Sequence, residues 1–176
     1  MKQFKKFFYY LLVVTLVWSF QSCSDDDDDD EYAEWRQKNE AKISEIANDP
    51  DYKKTDKIIG APSVYYKPLN ENEVDPEAPS PMLNDKIKVK YIGKYYNGTV
   101  FDSSIINPYE ITLSESTYIT GWIIALQHMK VGEKWDIWIP WILGYGSNPS
   151  SLISIPPYST LNFEIELLEI VERAAG

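Results

Sequence analysis

Segments that alternate between apolar and polar residues dominate the second half of the sequence, and they limit the possible folds more than any other feature. Ile87, Val89 and Tyr91 are separated by Lys88 and Lys90. The same period of two recurs over residues 134–139 and 161–167. Successive side chains of a β-strand point to opposite faces of its sheet, so each segment predicts a half-buried strand.

Two shorter segments extend this predicted sheet. Asn97-Gly98 separates β-prone residues at 95–96 and 99–101, and both residue types accept the positive φ angles of a tight turn. The pair therefore predicts a β-hairpin. Tyr65 and Tyr66 indicate a short strand that joins the sheet, and four prolines within residues 68–84 indicate a loop after it.

One segment between the strands has the spacing of a helix. Its apolar residues recur at intervals of three and four, at Ile119, Trp122, Ile123, Leu126 and Met129. Gly132 is expected to close the turn that follows, because glycine readily adopts the left-handed conformation found at helix ends. Several antiparallel strands with one short helix on their buried face predict an α+β fold.

A second helix is expected before the sheet, within residues 31–49. Asn48-Asp49-Pro50 ends it, since the residue before a proline avoids helical angles. Its apolar stripe is narrow and consists of Tyr32, Trp35, Asn39, Ile43 and Ile46. Such a stripe more often packs on its own domain than on a partner, so we expect this helix to be an N-terminal addition to the sheet domain.

The scarcity of cysteine and histidine narrows the chemistry that this chain can perform. Its 176 residues include one Cys and one His, which excludes an intrachain disulfide, a thiolate zinc site and most catalytic triads. His128 is interpreted as a surface or capping residue at the end of its helix. With 27 acidic against 17 basic residues, the net charge of −10 argues against nucleic-acid binding. No metal or cofactor is expected.

The first thirty residues are interpreted as a targeting segment. Three lysines precede an uncharged stretch of 14 residues, 7–20, which is too short to cross a bilayer and has the length of a signal-peptide core. Residues 1–22 would then be the signal peptide, and Cys23 resembles the lipidated cysteine of bacterial lipoproteins. An uncleaved anchor, or a secretory signal with an incidental cysteine, is the alternative interpretation.

Six aspartates, Asp25 to Asp30, follow Cys23. Like charges in such a series repel one another and keep the chain extended, so residues 23–30 are interpreted as a lipidated cysteine with an acidic tether. The same pattern resembles the surface-export signal of Bacteroidetes lipoproteins. The expected location is therefore the bacterial outer membrane, facing either the periplasm or the cell surface.

Aromatic residues are unusually frequent, at 14% of the chain. They either form an ordinary aromatic core or line a shallow apolar pocket. A small sheet domain can hold so many large rings only if several of their hydroxyl groups stay solvated or hydrogen-bonded. A pocket lined by these rings would meet that condition. Periodicity alone leaves both possibilities open.

The order of four longer motifs points to one family. The chain contains VKYIGKYYNGTVFDSS at residues 89–104, ITGWIIALQHMKVGEKWDIWIP at 119–140, GYG at 144–146 and IPPYSTLNFEIELLEI at 155–170. Together they resemble the FKBP family of peptidyl-prolyl cis-trans isomerases across residues 87–170. The resemblance implies a curved antiparallel sheet wrapped around a short helix, with a pocket between them, in an isomerase domain spanning residues 50–172.

The resemblance also implies the residues of the site. The catalytic positions would be Asp102, Tyr145 and the backbone N–H of Ile119. Substrate would be bound by Tyr91, Phe101, Tyr109, Tyr118, Trp122, Ile155 and Phe163. Three departures from the family pattern stand out. Residues 104–108 lack the arginine that often braces the pocket aspartate, the loop at residues 147–154 is slightly long for a minimal member, and Tyr118 fills a position usually held by a smaller aliphatic residue. Asp102 would then either be held by Ser or Tyr hydroxyl groups or be less rigid.

The function implied is prolyl isomerisation of proline-containing polypeptides by a folding catalyst held at a bacterial membrane by a lipid. Macrolide inhibitors would be further ligands of the pocket. The alternative is an FKBP-like peptide-binding or chaperone module with little turnover, which the missing arginine and the bulky Tyr118 favour. A third possibility is a lipoprotein whose pocket has no function.

Overall fold

Seven strands of the described residues form a single curved antiparallel sheet. The strands are β1 (Lys53–Lys54), β2 (Tyr65–Pro68), β3 (Lys86–Tyr95), β4 (Val100–Ser103), β5 (Tyr109–Thr112), β6 (Lys134–Ile139) and β7 (Leu161–Glu172). In the part of the chain that the structure describes, the α-helices are α1 (Ala33–Asn48) and α2 (Thr120–His128). This computed structural model describes residues 31–55, 62–150 and 154–174. The predicted α+β class, the curved sheet, its short helix and the N-terminal helix are all confirmed.

Strand β3 organises the sheet. It pairs with β7 along its whole length, from Lys86 to Tyr95. On its other edge, β5 pairs with the first half of β3 and β4 with the second half. Strands β6, β2 and β1 continue the sheet beyond β7. The β4–β5 connection, residues 104–108, therefore lies beside the middle of β3.

The core lies between α2 and the inward face of the sheet. Alternate residues of β3, β6 and β7, such as Ile87, Ile137 and Ile165, are fully buried, as the period of two predicts. Helix α2 is buried over six consecutive residues, from Gly121 to Leu126, so it is apolar all round rather than on one face.

The end of α2 is followed by the glycine turn that the sequence predicted. The helix ends at His128, which is exposed, while Gly132 lies four residues further on with φ +92°. Gly132 therefore closes the turn into β6 and is not the helix cap. The Asn97-Gly98 hairpin between β3 and β4 is confirmed, with Gly98 at φ +85°.

Helix α1 packs on the sheet domain, as its stripe predicted. The indole Nε1 of Trp35 donates to Ser159 Oγ at 3.2 Å, and Asn39 Oδ1 accepts a 2.7 Å hydrogen bond from the backbone N–H of Thr160. The Lys42 ammonium lies 5.4 Å from the ring of Trp138. This contact helps bury Trp138, which the alternation of β6 places on the solvent face.

The predicted signal peptide, Cys23 and the acidic tether lie outside the described residues. None of the helices in the described part of the chain is long and apolar enough to cross a membrane.

Candidate active site

A cavity of about 250 Å³ opens between α2 and the sheet. Strands β3, β4, β5 and β7, the N-terminus of α2 and the segment after β6 all contribute to its wall. The lining residues are Tyr91, Phe101, Asp102, Tyr109, Thr117, Tyr118, Ile119, Trp122, Tyr145 and Phe163. Among these described residues, Asp102 is the only charged side chain.

Aromatic rings in edge-to-face contact form the floor of the cavity. The ring of Trp122 lies 5.0 Å from that of Tyr91 and 5.2 Å from that of Phe163, at interplanar angles of 81° and 77°. Phe101 meets Phe163 at 5.6 Å and 87°. Edge-to-face pairs at such distances are favourable beyond their burial, so the floor is a fixed apolar surface.

Gly93 allows the two phenylalanines to converge. It lies on β3 between Phe163 of β7 and Asp102 of β4 in the register of the sheet. A Cβ atom at Gly93 would stand 2.7 Å from Phe101 Cζ and 2.8 Å from Phe163 Cε1. Glycine in the middle of a strand usually marks such a close approach, and here it makes room for two pocket side chains.

Asp102 is held by a tyrosine instead of an arginine. The Tyr91 hydroxyl donates to Asp102 Oδ2 at 2.6 Å, and the backbone N–H of Ser103 donates to Oδ1 at 2.8 Å. The Ser104 hydroxyl accepts from the backbone N–H of Tyr91 at 3.0 Å. Burial and the hydrogen bond to Asp102 raise the pKa of the Tyr91 hydroxyl, so it remains a donor at neutral pH.

Tyr145 is placed by a short turn after β6. Residues Trp141–Leu143 form a single 3₁₀ turn, and Gly146, at φ +78°, donates its N–H to the Trp141 carbonyl at 3.0 Å. Burial, with a smaller effect of the Asp102 charge, raises the pKa of the Tyr145 hydroxyl above its ordinary value. This hydroxyl is therefore protonated at neutral pH and can donate to a carbonyl group in the cavity.

Two residues at the start of α2 close the cavity on the other side. Ile119 caps the helix, and its N–H belongs to the first four N–H groups, which have no partner within a helix. The ring of Tyr118 stacks on Trp122 at 6.1 Å and 12°. Burial and a side-chain hydrogen bond with Tyr109 raise the pKa of Tyr118 to about 12.

The structure brings together every residue predicted for the pocket except Ile155. That side chain is only 8% exposed and packs in the hydrophobic core, and it is not among the lining residues of the described chain. Thr117 lines the cavity and was not predicted. Thr117 is not part of an apolar repeat, so only its position next to Tyr118 could have indicated that it lines the pocket. The catalytic and binding roles themselves stay predictions.

The arrangement can receive an apolar ring on an aromatic floor, with a tyrosine hydroxyl and a helix N-terminal N–H beside it. Within residues 31–55, 62–150 and 154–174, no cluster of three or more His, Cys, Asp or Glu side chains could hold a metal ion. The described lining residues include no cysteine, serine or lysine, and the Asp102 carboxylate accepts hydrogen bonds from Tyr91 and Ser103. The arrangement suits non-covalent binding of an apolar ring.

Comparisons with known proteins show which family the chain resembles. Residues 78–168 match the family model described as FKBP-type peptidyl-prolyl cis-trans isomerase. The chain is 46% identical over 95 residues to the FKBP-type 22 kDa peptidyl-prolyl cis-trans isomerase of Escherichia coli, covering 54% of this chain and 46% of that protein. It is 43% identical over 89 residues to an FK506-binding protein of Neisseria meningitidis, covering 49% of this chain and 81% of that protein.

A solved structure shares the fold. The crystal structure of a peptidyl-prolyl cis-trans isomerase from Pseudomonas syringae matches with a TM-score of 0.60 and 30% identity, covering 76% of this chain and 92% of that one. The chain spans about half the length of the first curated relatives that it matches.

Proposed function

Because this chain belongs to the FKBP-type peptidyl-prolyl cis-trans isomerase family, we propose that it accelerates rotation about X–Pro bonds in polypeptide substrates. The observation that carries this proposal is the cavity itself. It combines an aromatic floor with the hydroxyl of Tyr145 and with Asp102, which Tyr91 holds in place. A proline ring fits the apolar floor, and the hydroxyl of Tyr145 can donate a hydrogen bond to a neighbouring carbonyl group.

The reaction needs little chemical machinery. Rotation about a peptide bond has a barrier of about 18–20 kcal/mol, which arises from the loss of amide resonance. The planar amide carries more negative charge on its oxygen than the twisted amide does. Transfer from water into an apolar cavity therefore disfavours the planar form more than the twisted form, and the barrier falls without a nucleophile or proton transfer.

Each part of the cavity has a role in this proposal. Trp122 and Phe163 would hold the proline ring on the floor. The hydroxyl of Tyr145 and the N–H of Ile119 would bind the carbonyl groups on either side of it. Asp102 would place a negative charge near the twisting carbonyl, and its hydrogen bond from Tyr91 fixes where that charge lies.

A peptide isomerisation assay tests the proposal. The full chain, held in detergent, is mixed with a proline peptide enriched in the cis isomer, and the cis-to-trans rate is compared with the uncatalysed rate. Tyr145→Phe removes one neutral hydrogen bond of about 0.5–1.5 kcal/mol, so kcat/KM should fall roughly two- to tenfold. Asp102→Ala and Tyr91→Phe should also lower kcat/KM, because the first removes the negative charge and the second removes the hydrogen bond that holds it in position.

Tyr65→Phe provides a matched control. It deletes the same hydroxyl group from a half-buried tyrosine on β2, which does not line the cavity. Its rate should equal that of the wild type. A folded wild-type protein that gives no acceleration would refute the isomerase proposal.

One observation favours a second candidate, a peptide-binding or chaperone module of low turnover. Tyr118 stacks on the floor residue Trp122 and lines a cavity of about 250 Å³, less than the ~300–1,000 Å³ of typical ligand pockets. In that case Tyr118→Val would increase the rate. The same peptides would bind the wild-type protein, measured by Trp fluorescence, without being isomerised.

The membrane anchor is a further part of the proposal, and its support is in the sequence. Three lysines, a 14-residue apolar stretch and the single cysteine at position 23 have the order of a lipoprotein signal. We propose an outer-membrane lipoprotein that faces the periplasm or the cell surface. Cys23→Ser should abolish incorporation of labelled fatty acid and release the protein from the membrane fraction, and unchanged labelling would refute the anchor.

Macrolide binding is proposed for the same cavity. The relative from Neisseria meningitidis carries the name FK506-binding protein, and the aromatic floor offers the apolar surface that a large ring would contact. FK506 should inhibit the isomerase assay if it binds there.

A further inference from the structure

Helix α1 lies outside the pocket and contacts the connection between β6 and β7, which carries Tyr145. Three successive residues of this connection each meet one residue of α1, in the pairs Tyr158 with Arg36, Ser159 with Trp35 and Thr160 with Asn39. The described residues that line the cavity include none from α1. The three contacts fix the helix on the connection in one position.

The guanidinium of Arg36 lies over two aromatic rings of this connection. Its Cζ atom is 4.6 Å from the ring centre of Tyr158 and 5.9 Å from that of Trp141. The two rings meet edge to face at 5.1 Å and 77°. A cation within about 6 Å of an aromatic ring is attracted to its face, so Arg36 holds together residues from opposite ends of the connection. Glu40 accepts a 2.9 Å hydrogen bond from Arg36 Nε and restricts the orientation of the guanidinium.

Trp141 and Tyr158 also hold the turn of Tyr145 through backbone hydrogen bonds. The carbonyl of Trp141 accepts from the N–H of Gly146, and the carbonyl of Gly146 accepts from the N–H of Tyr158 at 2.9 Å. Tyr145 therefore directly precedes a glycine that is bonded to both residues beneath Arg36. A shift of either residue would move the peptide group that follows Tyr145.

The backbone of Tyr158 has a conformation that needs support from its surroundings. Its φ angle is +59°, in the left-handed region that bulky residues rarely adopt. Such a conformation persists only where the surrounding contacts determine it. At Tyr158 those contacts are the guanidinium of Arg36, the ring of Trp141 and the hydrogen bond to Gly146. Without Arg36, we expect the connection to relax and to displace the turn of Tyr145.

We propose that Arg36 is a positioning residue of the isomerase site, which acts through Trp141 and Tyr158 to hold the Tyr145 hydroxyl beside the substrate carbonyl. This inference rests on the proposed function, because it requires that Tyr145 bind a carbonyl group. Small displacements of a binding group are costly in rate, so a residue outside the cavity can control it. Helix α1 then belongs to the site as well as to the fold.

A double-mutant cycle tests this role. The full chain in detergent is assayed with a proline peptide as wild type, as Arg36→Gln, as Tyr145→Phe and with both changes. Arg36→Gln should lower kcat/KM roughly two- to tenfold, and by no more than Tyr145→Phe does, because it misplaces the same hydroxyl group. In the Tyr145→Phe background, Arg36→Gln should leave kcat/KM unchanged, since the group that it positions is already absent.

Lys42→Gln is the matched control on the same helix. Lys42 also lies over an indole ring, 5.4 Å from that of Trp138, and it also forms an ion pair with a glutamate of α1, Glu45. Trp138 is not among the lining residues of the described chain. Lys42→Gln should therefore lose stability much as Arg36→Gln does, but keep the wild-type kcat/KM. A merely structural role of Arg36 would make the two variants alike in activity.

Fluorine NMR follows Tyr145 without relying on turnover. In protein labelled with fluorotyrosine, the signal of Tyr145 is the one that disappears in Tyr145→Phe. Arg36→Gln should shift or broaden this signal, and Lys42→Gln should leave it unchanged. Because the Arg36 side chain is 43% exposed, Arg36→Gln should fold, which thermal unfolding checks. Trp141→Leu removes one of the two rings beneath the guanidinium and should give the same pattern, so the test does not depend on one variant.

The outcomes separate this proposal from the proposed function. If no peptide is isomerised but the Tyr145 signal moves in Arg36→Gln and not in Lys42→Gln, the link from Arg36 to Tyr145 is supported and the isomerase proposal fails. If peptides are isomerised but Arg36→Gln keeps the wild-type rate, or lowers it equally with and without the Tyr145 hydroxyl, the positioning proposal is wrong. An unmoved Tyr145 signal in Arg36→Gln would also overturn it.

Discussion

Gly93 offers the most direct test of how the sheet builds the pocket. A Cβ atom there would stand 2.7 Å from Phe101 Cζ and 2.8 Å from Phe163 Cε1. Carbon atoms in contact prefer a separation of about 3.5–4.0 Å, so in Gly93→Ala each ring must retreat by about 0.7 Å or more. The neighbouring strands β4 and β7 pair with β3 on either side, which leaves the rings to move into the cavity.

Two effects should follow from Gly93→Ala. Overpacking of a core typically costs about 1–3 kcal/mol, so urea unfolding should show a free energy of unfolding lowered by that amount. Displacing a binding surface by about 1 Å can cost up to a hundredfold in rate, so kcat/KM for a proline peptide should fall by about ten- to hundredfold. The assay is run well below the unfolding temperature, so that the variant is folded.

Gly98→Ala separates loss of stability from loss of the pocket. Gly98 has φ +85°, and a Cβ atom there would meet nothing within 4 Å, so alanine costs only backbone strain of about 1–2 kcal/mol. Its stability should fall by an amount similar to that of Gly93→Ala, while its kcat/KM stays at the wild-type value. Wild-type activity in Gly93→Ala, or an equal loss of activity in both variants, would refute the argument.

Three further predictions concern stability. In Gly121→Ala, a Cβ atom 2.4 Å from Ile139 Cγ2 would push α2 away from β6. The free energy of unfolding, measured in urea, should therefore fall by about 1–3 kcal/mol. An unchanged value would contradict this packing. Asn39→Ala leaves the buried N–H of Thr160 without its acceptor, so a loss of about 1–3 kcal/mol should appear in thermal unfolding, whereas an exposed, loosely attached α1 would show none. Burial raises the pKa of Asp85, but N–H donors and the Arg173 guanidinium outweigh it and hold this pKa below the ordinary 3.8. Asp85 therefore contributes stability above about pH 4 that is lost as the pH falls through its lowered pKa, so the wild type should lose more stability in acid than Asp85→Asn does.

Local patterns were enough to predict most of the secondary structure. The period of two in residues 87–91 and the Asn97-Gly98 pair depend only on backbone geometry and on the next few residues, so β3 and its hairpin could be identified directly. The end of α2 could not, because Gly132 suits both a helix cap and a later turn. The helix ends at His128. Whether Gly132 caps the helix or forms the later turn depends on where β6 joins the sheet.

Burial was less predictable wherever a distant segment covers a residue. The alternation of β6 places Trp138 among the polar residues of the solvent face, yet Trp138 is buried because α1 and its Lys42 lie over it. Ile155 was expected at the pocket wall, but its side chain packs in the core. The path of a long loop between β6 and β7 decides such a position, and no short-range pattern records that path.

The sequence by itself determined the alternating strands, the apolar helix between them and the set of large aromatic residues, because these follow from periodicity and residue type. It also indicated that Asp102, without a nearby arginine, would either be held by a hydroxyl group or be less rigid. Only the tertiary structure decided that this hydroxyl is that of Tyr91, and that Gly93 lies between Phe101 and Phe163. The first fact depends on the register of the β3–β4 hairpin, which shifts between Gly93 and Lys94, and the second also depends on how β3 pairs with the distant strand β7.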